Sequence, residues 1–359
     1  MTTEAAFRWS RSEASRARGY AVLLNANAKL VNARVRQALG RLVAPDDLFF
    51  SRSAQDAVAI ADTVVTRGYR TVFTGGGDGT FVGWVNRICD RAAVRDARIP
   101  RFGLLALGTG NAVAEMVGAR PDHHFEDLAD YASGRARSRW LNLLTCEGRR
   151  TPFAGVGIDA AVLNDYCWLM RRLAERGLGR LASGIPGYAL SIALRSMPRH
   201  LIERRPRYCE IVNTGRPAYR LDASGHQSGP AIGTGELLYA GPCRMAAAST
   251  VPYYGFGLKA FPFAESRRGM LQLRVATRLP VASLLLNLPL VWSGEWSHPD
   301  VFDFHVEKVT VRFERPMPLQ IGGDAEGWRE EVAFAIAPEP VELVDFSGCP
   351  GRPRRELLN

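Results

Sequence analysis

Apolar positions in the first third of the chain fall into short runs separated by amphipathic stretches. YAVLLNAN, from Tyr20, is an apolar run ending in asparagines, as a buried strand entering a loop would be. Leu30, Val31, Val35, Leu39 and Leu42 then recur near the helical period and predict a helix over 30–42. Residues 48–50 read as a short strand. Residues 54–66 read as a helix, with Ser51 or Ser53 available to cap it. A strand over 70–73 runs into GGGDGT, and 80–89 reads as helix. Arg101–Ala106 is a strand ending in LGTGN, and 112–117 is helical again. Strands alternating with helices predict an α/β domain with a parallel sheet covered on both faces.

The texture changes near residue 140. LNLLTCEG, TPFAGVGID, RYCEIVNTG, GELLYAGPC, MLQLRVA and KVTVRFE are strand-like and rich in glycine and proline. Helical stretches over 165–181 and 188–196 interrupt them. This predicts a mainly β, sandwich-like second domain. The expected layout is a tail over 1–18, an α/β nucleotide-binding domain over 19–139, a β-rich substrate domain over 140–347, and a tail over 348–359. Strands over 332–346 either close the sandwich or return to the first domain. The apolar stretches 166–170 and 284–292 read as core, with an interfacial anchor as the alternative.

Composition narrows the class. The chain has 359 residues, 47% hydrophobic and 23% charged, enough for a sizeable core without staples. Six scattered cysteines (Cys89, Cys146, Cys167, Cys209, Cys243, Cys349) include no C-x-x-C pair. That argues against a zinc ribbon or disulfide framework and for a reducing compartment. The polar, Arg/Ser-rich first residues have no apolar core of a signal peptide, and the longest apolar run is too short to span a bilayer. A cytoplasmic protein is expected. The formal charge is +10, and Lys29, Lys259 and Lys308 are the only lysines. A positive surface favours anionic partners, but the aromatic–basic interleaving of single-strand binders is missing and no nucleic-acid partner is expected. His123 and His124 lack a third ligand nearby and read as a solvated loop.

The strongest chemical signal is Gly75-Gly76-Gly77-Asp78-Gly79-Thr80 between a strand and a helix. Glycines let backbone N–H groups approach phosphate oxygens, and the following helix adds its free N–H groups and positive end. An aspartate there would repel a bare anion, so Asp78 reads as a Mg²⁺ ligand or a proton acceptor. Thr80 can cap the helix or touch a phosphate. Gly108-Thr109-Gly110-Asn111 is a second turn of this kind, and two such turns at adjacent strand ends would line one crevice. Neither turn is a Walker A motif or a G-x-G-x-x-G.

The pair GGGDGT…LGTGN resembles the diacylglycerol kinase/sphingosine kinase catalytic-domain family, whose nucleotide domain is akin to that of NAD kinases. Asn25-Ala26-Asn27-Ala28-Lys29 stands where that family has its first nucleotide loop, but without the usual proline and glycine. Gly155-Val156-Gly157-Ile158-Asp159-Ala160-Ala161-Val162 matches its G-x-G-x-D-A-x-V motif. Gly322-Gly323-Asp324-Ala325-Glu326-Gly327 stands at its D-G-E-like loop. The resemblance spans roughly residues 20–346. It implies ATP and Mg²⁺ in a cleft between an α/β domain and a β-sandwich. Nucleotide contacts would come from Asn25, Asn27, Ser53, Gly75, Gly76, Gly77, Gly79, Thr80, Gly108, Thr109 and Asn111. Asp78 would lie at the phosphates, and Asp159 would orient the acceptor's head group. Glu326 by direct alignment, or Asp324 otherwise, would take the proton of the lipid hydroxyl.

The implied activity is transfer of the ATP γ-phosphate to a lipid hydroxyl, diacylglycerol first and a sphingoid base or related amphiphile next. The enzyme would act at a membrane surface through peripheral contact. The sequence leaves the oligomeric state open, a homodimer included. Two alternatives stand beside this: NAD-kinase-like phosphorylation of a soluble acceptor, and a catalytically silent nucleotide- or lipid-binding module. After Pro262-Phe263-Ala264, Arg268 replaces an aspartate that supports a structural Mg²⁺ in the family, so a second metal is not expected.

Overall fold

The computed structural model describes residues 19–176 and 206–350, except 27, 29, 109, 110, 122, 255–257, 280–282, 284 and 285. The helix expected over 188–196 lies outside the described residues. The chain divides into two compact units, Met1–Leu141 with Pro340–Asn359, and Asn142–Glu339.

The first unit runs β1 (Tyr20–Asn25), α1 (Ala33–Leu42), β2 (Leu48–Ser51), α2 (Ala54–Arg67), β3 (Thr71–Gly76), α3 (Asp78–Arg95), β4 (Arg101–Ala106), α4 (Ala112–Met116), α5 (His124–Ala132) and β5 (Arg137–Leu141). A last strand, β17 (Val341–Asp345), completes its sheet. The order is β2-β1-β3-β4-β17-β5. Strands β1 to β4 are mutually parallel, β17 is parallel to β4, and β5 runs antiparallel to β17. Consecutive residues of β1, β3 and β4 are buried, which requires cover on both faces. The register aligns the carboxyl ends: Leu24 lies opposite Phe50 and Gly75, and Gly76 opposite Ala106.

Local chemistry sets the helix starts. Asn32 Oδ1 accepts from Val35 N at 3.0 Å, and Ser53 Oγ accepts from Asp56 N at 3.0 Å. α2 stops at Gly68 in the left-handed conformation. One expectation fails here. His124, read as solvated loop, is buried at the first position of α5, its ring centroid 4.1 Å from that of Phe125. The helical period of Leu128 and its neighbours, rather than the histidine pair, decides the segment.

The second unit comprises β6 (Leu144–Cys146), β7 (Arg149–Thr151), β8 (Phe153–Gly157), α6 (Ile158–Glu175), β9 (Arg207–Asn213), β10 (Tyr219–Leu221), β11 (Leu237–Cys243), β12 (Met245–Ser249), β13 (Leu271–Ala276), α7 (Leu288–Ser293), β14 (Val301–Val306), β15 (Lys308–Ile321) and β16 (Asp324–Ile336). All pairings among its strands are antiparallel.

β15 makes the arrangement sandwich-like. Its first half pairs with β9 and its second half with β8, while β16 follows it throughout. Between the halves, the register breaks from Arg312 to Met317, around Pro316. Proline cannot donate to the ladder, so the pairing is interrupted there and the strand changes partner from β9 to β8. Ala154, Val156, Leu273, Ile211, Val311 and Phe334 from these strands share one core.

Two sequence expectations are corrected. The helix expected to start at 165 starts at Ile158. Within the stretch 284–292, read as core, Leu286, Leu290 and Trp292 are 83%, 45% and 36% exposed. Asn287 is the single polar residue of that run, too little to mark which side would meet solvent.

Candidate active site

In the first unit, the two glycine turns are packed directly against each other. A Cβ on Gly108 would overlap Gly77 Cα and N, so only glycine allows the second turn to close on the first. A Cβ on Gly76 would collide with the Thr80 side chain, and one on Gly75 with Leu24. At Gly79 a Cβ would meet nothing within 4 Å. Gly75, Gly76 and Gly108 therefore serve protein packing, and Gly79 faces open space.

The start of α3 is Gly77, and no side chain caps it. An 18-residue helix with uncapped first N–H groups favours an anion there. Asn25, at the end of β1, donates from Nδ2 to Thr80 Oγ1 at 3.5 Å, tying the first strand end to this helix start. Asn111 donates from Nδ2 to Gly108 O at 2.9 Å. Its Oδ1 is buried with no hydrogen-bond partner among the described residues. A bare helix start, open space at Gly79 and an orphaned acceptor at Asn111 together fit a nucleotide. Asn27 and Thr109 lie outside the described residues. Ser53, expected to contact the nucleotide, caps α2 instead.

The carboxylate of Asp78 does something other than the sequence predicts. Its Oδ2 accepts from Ala112 N at 2.8 Å and its Oδ1 from Val113 N at 3.0 Å. Asp78 therefore caps α4 and holds the second turn against the first. Burial pushes its carboxyl above the ordinary range, opposed by the two backbone N–H groups. Neither oxygen is left free of a hydrogen bond for a Mg²⁺ ion. Nor do the described residues contain a group of three or more His, Cys, Asp or Glu able to hold a metal ion. Asp78 serves as the joint between the two turns.

In the second unit, the G-x-G-x-D sequence makes a strand end and a buried carboxylate. Gly157 has φ +119, and a Cβ there would collide with Arg244 O. α6 begins at the next residue and places Asp159 in its first turn. A Cβ on Gly155 would overlap Asp159 Oδ2, so that glycine leaves room for the carboxylate.

Asp159 Oδ2 accepts from Tyr254 Oη at 2.5 Å and from Gln320 Nε2 at 3.4 Å. Gln320 Nε2 also donates to Tyr254 Oη, and Gln320 Oε1 accepts from Gly323 N at 2.9 Å. Oδ1 of Asp159 is buried and has no hydrogen-bond partner among the described residues. Burial raises the Asp159 carboxyl, and the Tyr254 hydrogen bond pulls it back down. The Tyr254 ring lies 4.6 Å from Phe153 and 5.4 Å from Phe261, centroid to centroid. Tyr254 and Gln320 were not found by sequence reasoning. They stand 95 and 161 positions from Asp159, and no local motif marks them.

GGDAEG forms the β15–β16 hairpin. Ile321 pairs with Asp324 across Gly322 (φ +61) and Gly323 (φ +90), a two-residue turn with both central residues left-handed. Arg149 on β7 holds both candidate bases, paired with Glu326 through Nη1 and with Asp324 through Nη2 at 3.6 Å. Glu326 is the less exposed, 27% against 68% for the Asp324 side chain. Burial raises the Asp324 carboxyl, opposed by the Arg149 guanidinium. On the loop that carries Arg268, Phe263 O is bonded to His305 Nε2 at 2.9 Å, and Arg267 lies over the Tyr219 ring.

Comparison with known proteins follows the same division. Residues 22–138 match the diacylglycerol kinase catalytic domain, and residues 217–345 match the YegS C-terminal NAD kinase beta sandwich-like domain. No curated protein matches the chain. Among solved structures, a candidate diacylglycerol kinase from Bacillus anthracis str. Sterne aligns at TM-score 0.61 and 14% identity, over 91% of this chain and 97% of that one. Another structure, of a diacylglycerol kinase from the same organism, aligns at TM-score 0.57 and 12% identity, with the same coverage. At such identities the structures show a shared fold. Together the two domain matches span more than half of the sequence, and the chain carries a diacylglycerol kinase catalytic domain followed by a YegS C-terminal-type domain.

Proposed function

We propose that the protein transfers the γ-phosphate of ATP to a lipid hydroxyl, with diacylglycerol the first candidate and a sphingoid base or related amphiphile next. The observation that carries the phosphotransfer is the joint held by Gly77, Gly108 and Asp78, which presents an uncapped helix start and the open space at Gly79. Phosphoryl transfer needs positioning and charge stabilisation more than covalent chemistry, and this joint supplies a rigid anion-receptive surface. Asn25, Gly79, Thr80, Gly108 and Asn111 are assigned to the nucleotide. Asp78 is assigned to positioning the turns.

On the acceptor side, Asp159 offers its buried Oδ1 to a hydrogen-bond donor of the substrate. Glu326 is favoured over Asp324 as proton acceptor, because it is the better shielded of the two. The diacylglycerol kinase catalytic domain supports a lipid as acceptor. So do Leu286, Leu290 and Trp292, exposed within a stretch lacking any charged residue, as suits peripheral contact with a bilayer.

A silent nucleotide- or lipid-binding module is the second reading, favoured by the engagement of both Asp78 oxygens and by the Arg149 pairing of Glu326. The test is transfer of labelled γ-phosphate from ATP, with Mg²⁺ in the buffer, to a panel of lipids in mixed micelles and to soluble NAD. Labelled lipid supports the proposal. Labelled dinucleotide alone transfers the assignment to the NAD-kinase-like alternative. ATP binding without any labelled product supports the silent module.

A further inference from the structure

Gln320 is a buried amide in the middle of the acceptor-side cluster, and each of its two ends is committed to a different element. Its nitrogen donates to Tyr254 Oη and to Asp159 Oδ2; its oxygen accepts from Gly323 N at the tip of the β15–β16 hairpin. Gln320 is 2% exposed, so these bonds do not compete with bulk water. Tyr254 is fixed in turn by Phe153 and Phe261. One continuous chain of hydrogen bonds thus runs from the α6 carboxylate to the turn immediately before Asp324 and Glu326. Gln320 also sits opposite Gly155 in the β8–β15 ladder, and Gly155 is the residue whose missing side chain admits the Asp159 carboxylate.

We propose that Gln320 is a positioning residue: through Tyr254 it fixes the acceptor-orienting carboxylate of Asp159 relative to the hairpin that carries the proton acceptor. The proposal rests on the reading of Asp159 and the hairpin as the acceptor side of a phosphotransferase. An amide suits the role because it donates at one end and accepts at the other. Leucine would fill the volume and break both links. Glutamate would keep the Gly323 bond but, when ionised, could not donate to Tyr254 and would stand against Asp159. Among the described residues, titratable groups beside Asp159 include Tyr254 and, on β11, Cys243. Cys243 stays a neutral thiol, held well above its usual range by its hydrogen bond with Cys209 and by burial.

The experiment compares full-length wild type, Gln320→Leu, Gln320→Glu and Tyr254→Phe in the mixed-micelle assay, with amide exchange at Gly323 measured in parallel. Expected for Gln320→Leu is a loss in kcat of about 10- to 100-fold, the order that a misplacement of about 1 Å produces. Its KM for ATP should stay within about twofold, and Gly323 exchange should quicken by about tenfold or more. Tyr254→Phe keeps the ring packing and loses the donor to Asp159, so the acid limb of its pH profile should move to higher pH. Gln320→Glu should lose activity as pH rises, the opposite sense to wild type. Should Gln320→Leu fail to fold, the other two variants carry the test.

Wild-type kcat and pH profile in the variants, or Gly323 exchange unchanged in Gln320→Leu, would overturn the proposal. A wild type inactive on every acceptor overturns the kinase reading and, with it, a catalytic role for Gln320. Gly323 exchange quickened in Gln320→Leu would then still show the structural link.

Discussion

At Asp78, one side chain does the work of a joint. Its two oxygens satisfy the first N–H groups of α4, and those bonds hold the second glycine turn on the first. Asp78→Asn leaves one of the two N–H groups facing an amide nitrogen. The expected cost is about 1–3 kcal/mol in denaturant unfolding, together with weaker ATP binding. The pH dependence follows from the direction of the shift. Burial raises the folded-state carboxyl above its unfolded value, so the folded protein favours the protonated form. This group's contribution to stability therefore falls as pH climbs from the ordinary carboxylate range through the raised value, and is flat beyond it. Asp78→Asn should abolish that slope, and an identical slope in the variant would contradict the account. Gly108→Ala should be harsher for function. Its Cβ meets Gly77 backbone that has nowhere to yield, so ATP affinity should fall by at least about tenfold, read by calorimetry.

The elements themselves were legible to different degrees, for physical reasons. GGGDGT and GTGN stood out because glycines between a strand and a helix have few other uses, and both lie at such a junction. What each glycine is for could not be read, because the contacts that exclude a Cβ at Gly108 come from a turn some thirty residues away in sequence. The early start of α6 was hidden by Gly157, whose left-handed φ ends the strand and frees the next residue to begin a helix. Gly157→Ala adds strain at that φ to a collision with Arg244 O, and should cost more than about 2 kcal/mol in denaturation. The run 284–292, ending in α7, offered only Asn287 as a polar position to read, and Leu286, Leu290 and Trp292 proved exposed. Replacing Leu286, Leu290 and Trp292 with serine should weaken binding to anionic phospholipid vesicles by about tenfold or more, with ATP affinity unchanged. Unaltered vesicle binding would place the membrane contact elsewhere.

For the whole molecule, alternating helices and strands followed by β texture were enough to predict an α/β domain and a mainly β one. The chain's return to its first sheet is visible only in the pairing of β17 with β4 and β5. Solved structures at 12–14% identity to this chain share its fold. The first unit carries the groups assigned to ATP, and the second carries the Asp159–Tyr254–Gln320 cluster and the Arg149-bound carboxylates. The most direct test of that division is formation of phosphorylated lipid by wild type, Gly108→Ala and Asp159→Asn, with ATP binding measured on the same samples. Expected are labelled lipid from wild type, loss of both ATP binding and product in Gly108→Ala, and normal ATP binding without product in Asp159→Asn. A folded, ATP-bound wild type that labels no lipid, or an Asp159→Asn variant as active as wild type, would contradict that division.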